Sequence, residues 1–249
     1  MDIRITHNGP VLDIQLTRPA AKNALNQAMY HTLADTLIHA NQSPETRVIV
    51  LRGLPEIFCG GNDMQDFVAI SQGMADFHGE RFMKSLVECD TPVVAAVSGP
   101  AIGIGTTMLQ FVDVVYCSPS AVFKTPFVHL GLCPEMASST ELAKLVGPRK
   151  AKEMLLLGAT MTADEALTLG FVNQISQSPD DAAFQCAEQL SQLPPKAMQI
   201  SKRMIGQQEK TRLLRTIEDE NIELIQRIRS DEAKEAVSAF LEKRPAKFS

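Results

Sequence analysis

The chain has 249 residues, 45% of them hydrophobic and 21% charged, enough for one sizeable core with at most a small appendage. No apolar run is long enough to cross a membrane, and a net charge of −5 without a concentrated cationic face argues against nucleic acid as a main partner. Five cysteines (Cys59, Cys89, Cys117, Cys133, Cys186) lie far apart without C-x-x-C spacing, which argues against a disulfide framework or a zinc site and predicts reduced thiols.

The first twenty residues alternate and carry Asp2 and Asp13, so no secretory or transit peptide is expected. Lys247-Phe248-Ser249 is not a peroxisomal tripeptide, which makes the cytoplasm the expected compartment. Residues 3–5 and 11–16 flank Asn8-Gly9-Pro10 with Leu12, Ile14 and Leu16 in alternation, a pattern for a half-buried hairpin. Asn26 is placed to cap a helix to about residue 40, with Met29, Leu33 and Leu37 on one face. Residues 47–51 read as a strand that enters a Gly- and Pro-containing loop. Gly60 and Gly61 then let the backbone approach a ligand or take positive φ. Asp63 reads as the cap of a helix from Met64, with a direct catalytic role as the alternative.

The organising stretch is residues 91–140. A β-branched run over residues 93–97 predicts a buried strand, and Ser98-Gly99-Pro100 forces a turn. Gly103 and Gly105 bracket Ile104 just before a segment that can be helical, which leaves backbone N–H groups free at a helix N-terminus, where they suit an oxyanion. Strands over residues 112–116 and 121–123 lead to Pro134-Glu135, read as the first turn of another helix with a carboxylate on it. Two helices follow, closed by Gly147-Pro148 and Gly158, and Thr162 with Glu165 forms a capping box for a third. Residues 171–175 read as a strand and 180–193 as a helix.

Pro194-Pro195 marks a boundary between a core, residues 1–194, and a helical region, residues 195–249. Leu213, Ile217, Leu224 and Ile228 keep helical spacing there, on a segment too short to bury them alone; a neighbouring subunit is the expected cover.

These residues resemble the crotonase (enoyl-CoA hydratase/isomerase) superfamily along nearly the whole chain. Asn23-Ala24-Leu25-Asn26 is similar to its N-A-L-N segment, Phe58-Cys59-Gly60-Gly61-Asn62-Asp63 to its F-x-x-G-x-D loop, and residues 92–113 to its P-V-I-A-A-V-x-G-x-A-x-G signature. The resemblance implies an α/β fold, a crotonase-like spiral of ββα units with a C-terminal α-helical trimerisation region. It also implies a homotrimer or dimer of trimers and an acyl-CoA thioester substrate, with no cofactor beyond the CoA moiety and no metal. By position, the oxyanion hole falls to the backbone N–H groups of Asn62 and Ile104, their side chains being of little consequence. CoA contacts fall to Lys22, Asn23, Ala24, Leu25, Gly61, Asp63, Met64, Gly103, Phe240 and Lys243. The tail cations Lys243 and Arg244 read either as phosphate contacts or as a solvated charge run.

The two glutamates of the hydratase branch are missing: Thr107 and Phe127 stand at their positions. Residues 125–139, with Pro134-Glu135 and Ser138-Ser139, instead resemble the peroxisomal-type Δ3,Δ2-enoyl-CoA isomerases, which makes Glu135 the implied base. Chemistry leads the same way. Hydration is easiest with two positioned carboxylates, whereas moving a double bond from C3 to C2 needs one group that removes a C2 proton and returns it at C4. Burial among Phe127, Leu132 and Met136 is expected to outweigh the helix dipole and raise the Glu135 pKa. His129 reads as a hydrogen-bonded scaffold residue, or as a second acid/base. Met64, Phe67, Met74 and Phe82 line an acyl tunnel or form core. A hydratase and a non-catalytic acyl-CoA-binding protein are the alternative functions.

Overall fold

The start of the chain forms the expected hairpin: β1 (Ile3–Asn8) and β2 (Val11–Leu16) pair antiparallel, with Gly9 at φ +58° in the turn, but β2 is buried on both faces, Asp13 and Gln15 included, because β3 flanks it on its other edge. The structure, a computed structural model, describes residues 2–206 and 208–248; Ser249, which ends the tripeptide read above, lies outside them. Asn26 accepts a hydrogen bond from Met29 N and starts α1 (Gln27–Gln42). Then come β3 (Val48–Arg52), α2 (Met64–Ser71), α3 (Gly79–Glu88), β4 (Val93–Val97), β5 (Ala101–Ile102), the single turn α4 (Ile104–Thr107), β6 (Val114–Cys117) and β7 (Val122–Lys124). The second half holds α5 (Ser138–Val146), α6 (Pro148–Leu157), β8 (Thr160–Thr162), α7 (Ala163–Leu169), β9 (Gln174–Ile175) and α8 (Pro179–Ser191). It closes with α9 (Pro195–Gly206), α10 (Lys210–Ile228) and α11 (Asp231–Leu241).

Six strands form one sheet in the order β1-β2-β3-β4-β6-β9, parallel from β2 onward, and β5-β7-β8 form a second, smaller one. From β4 on the chain passes back and forth between the two sheets, which produces an α/β spiral whose last three elements are helices. The period of two sorts the central strands between two cores. Ile49, Leu51, Val93, Ala95 and Val97 face the main core, while Val48, Val50, Val94 and Ala96 face Ala183 and Ala187 of α8. Burial on both faces is why these strands read as unbroken apolar runs. Among the described residues no helix is long and apolar enough to cross a membrane.

One strand reading needs correction, and one strand was not read. Of residues 171–175 only Gln174 and Ile175 pair, with Tyr116 and Cys117; Phe171 and Val172 are buried in the turn after α7, so their hydrophobicity reflects core packing and not strand pairing. The capping box is present as read, and the residues leading into it, with Thr162 itself, form β8 against β7.

The apolar stripe of α10 is also covered differently from the expectation. Leu213 and Ile217 join the main core, and Leu224 and Ile228 pack with Phe67, Ile70, Phe127 and Leu132, all within one chain. Fifty residues need not make their own core when α10 can lie across α3 and α2. Ile217→Ala is therefore expected to cost about 2–5 kcal/mol, read as a lower urea midpoint at unchanged slope; a cost below about 1 kcal/mol would contradict this packing. Exposed apolar side chains include Leu156 and Leu157 of α6, Met204 and Ile205 of α9, and Ile222 on the outer side of α10.

Candidate active site

Glycine chemistry and strand register bring two loops together. Cys59 makes a parallel bridge to Ala101, Ile102 N donates to Cys59 O at 2.9 Å, and Gly105 passes so close that a Cβ on it would meet Cys59 O at 2.8 Å. On the other side Leu25 bridges Asn62: Leu25 N donates to Gly61 O at 2.8 Å and Asp63 N donates to Leu25 O at 2.9 Å. This pattern uses the peptide groups on either side of Asn62 and leaves its own N–H without an acceptor among the described residues. Ile104 N is likewise without one, because Ile104 is the first residue of α4 and the first N–H groups of a helix have no intrahelical partner. Gly103, at φ +56°, turns the chain into that helix, with its own N–H held by Lys124 O at 2.8 Å.

A Cβ built on Gly103 would lie 3.7 Å from Gly61 Cα, 3.9 Å from Phe127 Cε1 and 4.0 Å from Glu135 Oε1. Glu135 thus stands beside the meeting point of the two loops. Its side chain is buried, and both carboxylate oxygens lie 3.2 Å from Asn62 Nδ2. Burial pushes its pKa up to about 8, against the hydrogen bond from Asn62, while the charge of Glu220 pushes the same way as burial. The side chain of Asn62 therefore has a task that backbone reasoning denied it. On its far side the amide Oδ1 accepts from the hydroxyl of Tyr30, which is buried between the rings of Phe77 and Phe82.

Pro134-Glu135 is not a helix start. Met136 and Ala137 follow at φ +60° and +54°, left-handed and without glycine, and α5 begins only at Ser138. Such residues persist where surrounding structure holds them. Here the holder is Glu220 of α10, whose carboxylate accepts from Ala137 N at 2.6 Å and Ser139 N at 3.0 Å, capping α5 from a distant part of the sequence. Burial, first among several causes, keeps the Glu220 pKa above the usual range.

A cleft of about 860 Å³ opens beside these two N–H groups, between the first loop, the turn at His129 and α11. Lys22, Ala24, Asn62, Asp63, Met64 and Phe240 line it, as do Lys124, His129 and Arg244. Asn23 and Leu25 do not. Asn23 is buried, accepting from Arg18 N at 2.8 Å and donating to Ile57 O and Phe58 O at 3.2 and 3.1 Å, so its hydrogen-bonding groups go to fastening the loop. Asp63 caps α2 through Gln65 N at 2.8 Å and pairs with Arg18 at 2.6 Å, a structural anchor at the cleft wall. Gly61, Gly103 and Lys243 lie outside the lining residues, and Arg244 is engaged by Glu235 at 2.6 Å and by Glu242 at 2.6 Å. His129 stacks its ring on Gly158, where a Cβ would meet Cε1 at 2.7 Å; no hydrogen bond joins it to Glu135 among the described residues. Thr107 and Phe127 are both buried. Of the four candidate tunnel residues, Phe67 and Phe82 are buried in core clusters, Met64 lines the cleft and Met74 is exposed.

The spiral fold and the pairing of two backbone loops around a buried acid place the protein in the crotonase class. The chain belongs to the enoyl-CoA hydratase/isomerase family, whose profile it matches over residues 6–249. It is 34% identical over 251 residues to enoyl-CoA delta isomerase 2 of Rattus norvegicus, an alignment covering 98% of this chain and 64% of that protein, so the chain spans less than two thirds of the relative's length. To carnitinyl-CoA dehydratase of Salmonella enteritidis it is 32% identical over 201 residues, covering 79% of this chain and 77% of the relative. The crystal structure of an enoyl-CoA hydratase/isomerase from Pseudoalteromonas atlantica T6c superposes with a TM-score of 0.93 at 37% identity, covering 100% of both chains.

Proposed function

We propose that the protein is a Δ3,Δ2-enoyl-CoA isomerase that works with one carboxylate. The observation that carries the reading is Glu135, buried and held by Asn62, beside two backbone N–H groups that have no acceptor among the described residues. In this reading the thioester oxygen of a 3-enoyl-CoA accepts from Asn62 N and Ile104 N. Glu135, ionised, takes a proton from C2, and the electron pair moves into the thioester to give a dienolate whose charge sits on the oxygen between the two donors. The same carboxyl group then returns the proton at C4, and the double bond comes to rest between C2 and C3. Such a shift consumes no water and needs no second acid. Thr107 has a hydroxyl that is not acidic at neutral pH and Phe127 has no ionisable group, so neither supplies the second acid that hydration uses.

Lys22 and Lys124 at the cleft wall are the cations best placed for CoA phosphates, since the Arg244 guanidinium is occupied by Glu235 and Glu242. A trimer or dimer of trimers would cover the exposed apolar residues of α6 and α9. The test is product analysis. Incubation with a 3-enoyl-CoA, followed by chromatography, is expected to yield the 2-trans-enoyl ester, and the 2-trans ester alone is expected to give negligible 3-hydroxy product. Rapid hydration, or dehydration of a hydroxyacyl-CoA without isomerisation, would overturn the assignment.

A further inference from the structure

An amide next to a carboxyl group can serve either of its protonation states. Its NH2 stabilises the carboxylate; turned over, its oxygen would accept from the O–H of the neutral acid. Which face Asn62 presents is decided by its other partner. Tyr30 donates to Asn62 Oδ1, and this is the hydroxyl's one hydrogen bond among the described residues. Burial, above all, holds the Tyr30 pKa well above its ordinary value, so the hydroxyl keeps its proton. If the amide turned over, that proton would lose its acceptor on a fully buried side chain, a costly outcome for a buried donor.

We propose that Tyr30 is a positioning residue that locks the Asn62 amide with its NH2 toward Glu135, so that the site serves the ionised base. This rests on the assignment of Glu135 as the base. Other groups face the carboxyl as well: Cys59 from the first loop, Cys133 from its own loop and Glu220 from α10, while Asp66 of α2 stands near Tyr30. None of these is a cation, so the amide is the one neighbour of this set that favours the charged form.

The experiment compares wild type with Tyr30→Phe, Asn62→Ala and the double variant, each checked for folding by thermal melting and for binding of a saturated acyl-CoA. Asn62→Ala keeps the backbone N–H of the hole. The titration of Glu135 is read directly by carbon NMR of labelled glutamate side chains, with Glu135→Gln assigning the resonance, and the pH profile of kcat/KM is read beside it. The expected result is a Glu135 midpoint about one pH unit higher in Tyr30→Phe, about a tenfold loss of kcat/KM at pH 7 that recovers on raising the pH, and little change in acyl-CoA affinity. Asn62→Ala should shift the midpoint the same way, and adding Tyr30→Phe to it should shift it no further. A Tyr30→Phe titration that overlays wild type, or a shift of equal size with and without Asn62, would overturn the proposal. If Tyr30→Phe does not fold, the Asn62→Ala midpoint decides: an unchanged value overturns it too. Retention of full turnover by Glu135→Gln would instead refute the isomerase mechanism and leave the NMR reading of Tyr30 standing on its own.

Discussion

Glu135→Gln is expected to lower turnover of a 3-enoyl-CoA by roughly 10²–10⁴-fold, the usual contribution of a positioned acid/base, while acyl-CoA binding stays nearly unchanged because the hole and the cleft are untouched. The same variant carries a stability signature. Burial holds the Glu135 pKa at about 8, well above the ordinary glutamate value of about 4.3. Between those two pH values the folded chain keeps a proton that the unfolded chain has released, so stability falls as pH rises through the window and levels off above it. Removing the ionisable group removes the fall. Glu135→Gln should therefore melt higher than wild type at pH 9, by the equivalent of about 3–5 kcal/mol, and differ little from it at pH 4.5. Calorimetry at the two pH values checks this. Equal melting differences at both would show that Glu135 is not a strained buried acid, and wild-type turnover would remove it from the mechanism.

Ile104→Pro deletes one of the two proposed hole donors and, because the Ile104 side chain is fully buried in the main core, also costs stability. The first helical position tolerates proline, since its N–H has no intrahelical partner and proline's φ suits the helix. The expected loss is roughly 10²–10³-fold in kcat, the effect typical of removing one oxyanion donor. Steady-state kinetics beside a thermal melt separate this from misfolding. A folded Ile104→Pro protein with wild-type kcat would mean that the thioester oxygen sits elsewhere.

Much of this arrangement was legible in the chain because it is local. The run at residues 93–97, the Asn26 and Asp63 caps, the Thr162–Glu165 box and the helix start at Ile104 each follow from residues within a turn of one another. The misreadings arose where distant segments decide. Pro134-Glu135 has good helix-start chemistry, yet Met136 and Ala137 go left-handed with their exit fixed by Glu220, more than eighty residues away in the sequence. The bonds by which Asn23 fastens its loop to Ile57 and Phe58 likewise become visible only once the loop has folded back. The same holds for Tyr30, which carried no signal beyond an aromatic on a helix. A motif can mark where a carboxylate is; it does not reveal what aims at it.

The two donor peptides are held by strand-like bridges, Leu25 with Asn62 and Cys59 with Ala101, and by glycines that admit no side chain. Backbone pairing thus sets the peptide groups, while the side chains there have work of their own: Asn62 holds Glu135 and Ile104 is buried in the main core. An engineer could treat this scaffold as a thioester-activating chassis: keep the bridges and the glycines, and rewrite positions 62, 107, 127 and 135 to redirect the enolate toward water, a leaving group or a second carbonyl.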